Sequence, residues 1–71
     1  MTKRKALIKQ IGQEAAKRGL TFGVVREGGN HTLYGLDGKH IPIPRHTELG
    51  EILTRKIKEQ AGEKLGKDWW K

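Results

Sequence analysis

The residues most able to do chemistry lie in one run, Arg26-Glu27-Gly28-Gly29-Asn30-His31. Adjacent glycines let a ligand approach the backbone closely, and exposed N–H groups there can hold an anion. His31 follows at once, opening a segment of β-forming residues that would hold the imidazole on a rigid sheet. Imidazole titrates near neutrality, so it can move a proton during phosphodiester cleavage. In RNA the neighbouring 2′-OH is a built-in nucleophile. One positioned base, with cations that stabilise the pentacoordinate phosphorus, then suffices without a metal. One reading of this run is therefore RNA cleavage with His31 moving the proton. The plainer alternative is an ordinary turn followed by an exposed strand histidine.

The other polar residues fall around that centre. Arg45-His46 precedes a helix, where free N–H groups and nearby cations suit a phosphate. His46 is thus a candidate second proton-transfer group, with a helix-entry residue as the alternative. Arg26, Lys39 and Arg45 are candidate electrostatic stabilisers, while Gly28, Gly29 and Asn30 are placed for phosphate approach. Lys5 and Lys9 belong to a broader basic surface with Lys3, Arg4, Arg55, Lys56 and Lys58, although a merely solvated face would look the same. His40 alternates with Ile41 and is expected to face solvent. The histidine spacings match no zinc-ligand pattern, and neither a metal nor another cofactor is expected. Carboxylates are few and mostly helical, which gives paired-acid hydrolysis no support. Trp69 and Trp70 could stack on bases, anchor a protein partner, or fold back over an edge of the core.

The chain that must position these groups has 71 residues, with 15 Lys+Arg against 8 Asp+Glu and a net charge of +7. Such a balance favours a polyanionic partner, nucleic acid first. Hydrophobic residues make up 34%, and with the 10 glycines added the apolar share is ordinary for a small globular domain. There is no cysteine, which excludes a disulfide framework, a thiolate zinc site and a Cys nucleophile. No apolar run approaches the roughly 20 residues needed to span a bilayer. The basic N-terminus lacks a signal-peptide core, so a soluble, cytoplasmic protein is expected.

Leu7, Ile11 and Ala15, with Ile8 and Ala16 beside them, predict a first helix that ends at Arg18-Gly19. Three strands follow: Leu20–Glu27, Asn30–Leu36 and Lys39–Pro44. Gly28-Gly29 and Asp37-Gly38 would form the two-residue turns between them. Pro42 and Pro44, two apart, place the third strand on an edge. Ideal turns would put Val25, Thr32, Tyr34, Leu36, Ile41 and Ile43 on the face towards the helices. Arg26, His31, Leu33, His40, Phe22 and Val24 would then share the other, and one bulge would invert part of this. Thr47 is the expected N-cap of a second helix, with Glu48 and Glu51 in its first turn. Leu49, Ile52, Leu53, Ile57 and Ala61 would form its stripe, with Gly62 as the first stop and Gly66 a later one. The expectation is an α+β fold of order α-β-β-β-α, with both helices on one face of a three-stranded antiparallel sheet. Residues 1–66 form one domain and 67–71 a tail.

From Gly29-Asn30-His31 through Ile43-Pro44-Arg45-His46 into an Ile/Leu-rich final helix, the chain resembles the HicA family of toxins. The likeness runs from Lys5 to about Gly62. It departs from the family pattern at Asn30, where a serine is usual, and at Gly50-Glu51-Ile52-Leu53 in place of a Gly-Thr-Leu run. The resemblance implies a double-stranded-RNA-binding-domain-like fold and an endoribonuclease that cleaves mRNA and blocks translation, with His31 catalytic. It also implies a cognate HicB-type antitoxin that binds the protein and covers that site. The alternative is a non-catalytic RNA-binding module using the same basic surface.

Overall fold

The structure is a computed structural model that describes residues 2–71. Leu7, Ile11 and Ala15 recur every four residues and are all buried, which sets the inner face of helix α1 (Arg4–Lys17). The helix ends as its sequence predicts. Gly19 takes φ 68, and its N–H and that of Leu20 donate back to the Ala16 and Ala15 carbonyls at 3.2 and 2.8 Å. This paired arrangement satisfies carbonyls that the last helical turn would otherwise leave open.

Strands β2 (Phe22–Glu27), β3 (His31–Leu36) and β4 (Lys39–Pro44) form an antiparallel meander in the order β2-β3-β4. At the β3–β4 turn Asp37 and Gly38 both have positive φ, 49 and 88, as a type I′ hairpin requires. Counting from the closing Leu36↔Lys39 pair, Pro42 and Pro44 fall where a strand N–H would point outwards, so the edge loses no ladder bond.

The first hairpin departs from an ideal two-residue Gly28-Gly29 turn. Gly28 N–H donates to the His31 carbonyl at 2.9 Å, leaving Gly29 and Asn30 at the tip. A bulge at Val25 then shifts the register between Val24↔Tyr34 and Arg26↔Leu33. The shift corrects the expected faces. Phe22 and Val24 lie on the side of Tyr34 and Leu36, whereas Val25 is turned to the far side against Gly35. The ring of Phe22 stacks on Tyr34 with centroids 5.1 Å apart, so this aromatic pair belongs to the core side.

Two short segments absent from the expected order, β1 (Thr2–Lys3) and β5 (Glu48–Leu49), pair antiparallel as a second small sheet. Thr47 therefore does not cap the following helix. Its carbonyl accepts from Arg4 N–H at 3.0 Å, Glu48 sits in β5, and Gly50 is the N-cap of α2 (Glu51–Leu65). Thr54, Ile57, Ala61 and Leu65 are the buried face of α2, while Leu49 is buried from β5 and Ile52 is 75% exposed. The helix continues through Gly62, since one helical glycine costs only about 1 kcal/mol, and stops at Gly66 with φ 106. Residues 67–71 turn back, and Trp69 joins the core by donating its indole N–H to the Lys58 carbonyl at 2.8 Å. Both helices and one face of the meander enclose that core, built around Leu7, Ile11, Leu36, Ile41, Ile43 and Ile57. Among the described residues no helix is long and apolar enough to cross a membrane.

Candidate active site

His31 opens β3, the central strand, opposite Pro44 of β4. Strand alternation puts it with Leu33 and Gly35 on the face away from the buried Thr32, Tyr34 and Leu36. The imidazole is exposed and makes no side-chain hydrogen bond among the described residues. It lines an open cleft of about 560 Å3 together with Gly29, Asn30, Pro44, Arg45, His46 and Leu53. The sequence run and the Arg45-His46 pair, 14 residues further on, thus meet in one place.

The cleft is suited to an anion. Gly28 is drawn close to the strand, where a Cβ would come within 3.2 Å of the His31 carbonyl oxygen, whereas Gly29 faces open space. Among the described residues the N–H groups of Gly29 and Asn30 have no hydrogen-bond acceptor, so two donors remain at the tip. His46 is exposed and lines the same cleft.

What fixes the tip is a polar network on the core side. Thr32 is 2% exposed and its hydroxyl donates to Glu27 Oε1 at 2.8 Å. The same hydroxyl oxygen accepts from Arg4 Nη2 at 3.1 Å and from Arg45 Nε at 3.3 Å. Arg45 Nη2 also donates to the carbonyls of Gly28 and, at 3.2 Å, His31, and lies 3.3 Å from Glu27 Oε1. Arg4 Nε donates to the Pro44 carbonyl at 2.8 Å, which ties α1 to the same corner. The sequence carries one signal for this network, which a search for catalytic motifs passes over. A threonine alternating with His31 must face the apolar side, and a polar group buried there needs partners.

The remaining candidates divide. Arg26 pairs with Leu33, so it lies diagonal to His31 on the same sheet face, roughly 7–8 Å away, and forms no ion pair among the described residues. Lys5 and Lys9 are exposed on α1, whose first turn sits at the His31 end because Arg4 is anchored there. Lys39 stands apart. It faces Leu36 at the far end of β3, about 17 Å along the strand from His31, and its ammonium pairs with Glu63 at 2.8 Å. That pairing holds the Glu63 carboxyl below its ordinary value of 4.5. His40 is exposed on the face away from the helices, beside Val25 and Gly35. Arg45 is committed to carbonyls and Glu27, so it braces the tip more than it reaches into the cleft. No family model, curated protein or solved structure matches the chain.

Proposed function

We propose that the protein is a metal-independent endoribonuclease that cleaves mRNA in the cytoplasm, blocks translation, and is neutralised by a cognate antitoxin protein. The observation that carries this reading is that His31, Gly29 and Asn30 line one cleft, with no hydrogen-bond partner for the imidazole or for the two backbone N–H groups among the described residues. The 2′-oxygen of a bound ribose attacks the adjacent phosphorus, and the bond from phosphorus to the 5′-oxygen breaks. One imidazole takes the 2′-hydroxyl proton and another supplies the proton to the leaving 5′-oxygen, which assigns His31 and His46 as a pair. The tip N–H groups and Arg26 balance the charge that accumulates on the phosphoryl oxygens. Because the substrate carries its own nucleophile, no step calls for a metal-bound hydroxide.

The deciding experiment is RNA cleavage by purified protein in excess EDTA, comparing wild type with His31→Ala. Thermal unfolding of both proteins checks that they are folded. The expected result is cleavage by wild type and a fall of roughly 100- to 10,000-fold in the variant. Equal rates would remove His31 from the reaction. RNA binding without cleavage by either protein would mean a binding module instead.

A further inference from the structure

The last residues of the chain form a feature that the cleft does not use. Trp69 is buried and held by its hydrogen bond to the Lys58 carbonyl, and Trp70 packs edge-on against it, with centroids 6.0 Å apart and planes at 79°. Trp70 is half-buried, packed on the edge of the core with part of its indole at the surface. It borders a recess shared with Thr54, Arg55, Lys58 and Lys71, in which Glu51 is the one side-chain carboxylate among the described residues. Arg55 and Lys58 have no carboxylate partner among the described residues. Lys71 has only an exposed pairing with Asp68 at 3.4 Å, which a stronger anion can displace. Thr54 is 4% exposed, and its hydroxyl is the one buried side-chain polar atom without a partner among the described residues.

We infer that this recess is a second RNA-binding site, which takes an unpaired base on the Trp70 indole and its flanking phosphate on Arg55, Lys58 and Lys71. An aromatic platform next to unpaired cations is how single strands are held without sequence readout. A duplex keeps its bases stacked inside and offers nothing to the indole. Leu53, which lines the cleft, is set about 140° around α2 from Lys58, so the recess is a surface separate from the cleft. The inference rests on RNA being the ligand in the proposed function.

The test is titration of a labelled single-stranded oligoribonucleotide into His31→Ala protein, which keeps the RNA intact, with Trp70 and charge variants built on that background. Trp70→Ala is expected to weaken binding roughly 5- to 100-fold, the range that base stacking supplies, while Trp70→Phe retains most of the affinity. Replacing Arg55 and Lys58 with Gln should flatten the slope of log affinity against log salt by roughly 0.7 for each phosphate no longer neutralised. A blunt RNA duplex should bind Trp70→Ala and its parent alike. Unchanged single-strand affinity in Trp70→Ala overturns the site, as does capture of a protein but no RNA through Trp70. Should Trp70→Ala unfold, an unchanged salt slope in the Arg55 and Lys58 variant overturns it instead. The two readings fail separately: Trp70-dependent binding without EDTA-resistant cleavage sinks the enzyme alone. Cleavage with Trp70-independent binding sinks this site alone.

Discussion

Arg45 grips His31 by the backbone and leaves the ring free, with Nη2 3.2 Å from the His31 carbonyl oxygen. The same guanidinium holds the Gly28 carbonyl and Thr32 hydroxyl, so both sides of the hairpin tip hang on one planar fork. Arg45→Gln should therefore loosen the position of the imidazole without removing any group that touches substrate. Single-turnover cleavage should fall about tenfold, with substrate affinity changed little, because misplacement penalises the transition state more than binding. Arg45→Lys should not rescue the rate, since an ammonium cannot serve three acceptors in a plane. Full rescue by lysine would mean that Arg45 acts only through its charge.

Thr32 Oγ1 is the shared atom of that network, donating once and accepting twice. Thr32→Val preserves shape and removes the hydroxyl, leaving Arg4, Arg45 and Glu27 each short of a partner. The expected cost is about 1–3 kcal/mol in urea unfolding, because the position is buried. Thr32→Ser, which keeps the oxygen, should cost less. A valine variant as stable as wild type would show the network to be dispensable.

The parts of the fold that are legible in sequence are those set by local chemistry. The four-residue recurrence of Leu7, Ile11 and Ala15, the Asp37-Gly38 turn and the Pro42/Pro44 edge are each dictated within a few residues of themselves. What is not legible depends on partners far along the chain. Thr47 reads as a cap in isolation, but its carbonyl is claimed by Arg4 and the next two residues pair with Thr2 and Lys3. The sheet faces turn on one bulged residue, Val25, which no local pattern marks. In the candidate site, His31, Arg45 and His46 converge as their motifs suggest, but Lys39 does not join them, because charge composition carries no address. Trp69 reads as a tail residue until Lys58, 11 residues back, offers it a carbonyl.

The Lys39–Glu63 pair gives a pH prediction. A hydrogen bond from Lys39, and then its charge, lower the Glu63 carboxyl below 4.5. A carboxyl lowered in the folded state binds its proton more readily when unfolded. Its contribution to stability is therefore complete above the unfolded value and lost as pH falls through the folded one. Lys39→Gln should return Glu63 towards 4.5, which carboxyl-carbon NMR titration reads directly. The variant's stability deficit should be present at neutral pH and shrink as pH drops through that range. Glu63 is exposed and Lys39 only half-buried, so the deficit will be small and partly screened by salt. A Glu63 titration indifferent to residue 39 would contradict the pairing.

Gly35 and Val25 face each other across the bulge, and their proximity decides the sign of a substitution. A Cβ built on Gly35 would lie 2.7 Å from Val25 Cγ2, closer than two carbons can approach. Gly→Ala in a strand ordinarily stabilises, by restricting the unfolded chain by about 0.4–1 kcal/mol. Here the methyl must push Val25 off its rotamer, and a β-branched side chain has few alternatives, at a cost of order 0.5–1.5 kcal/mol. Val25 is 52% exposed, so it can move outwards and the strain stays within that range. Gly35→Ala should therefore be neutral to slightly destabilising in the wild-type chain. In a Val25→Ala background the branch is gone, and the same change should stabilise. A double-mutant cycle by urea unfolding measures the difference as a coupling of at least about 0.5 kcal/mol. Additive effects would place Val25 away from Gly35 and with it remove the bulge that sets the faces of β2.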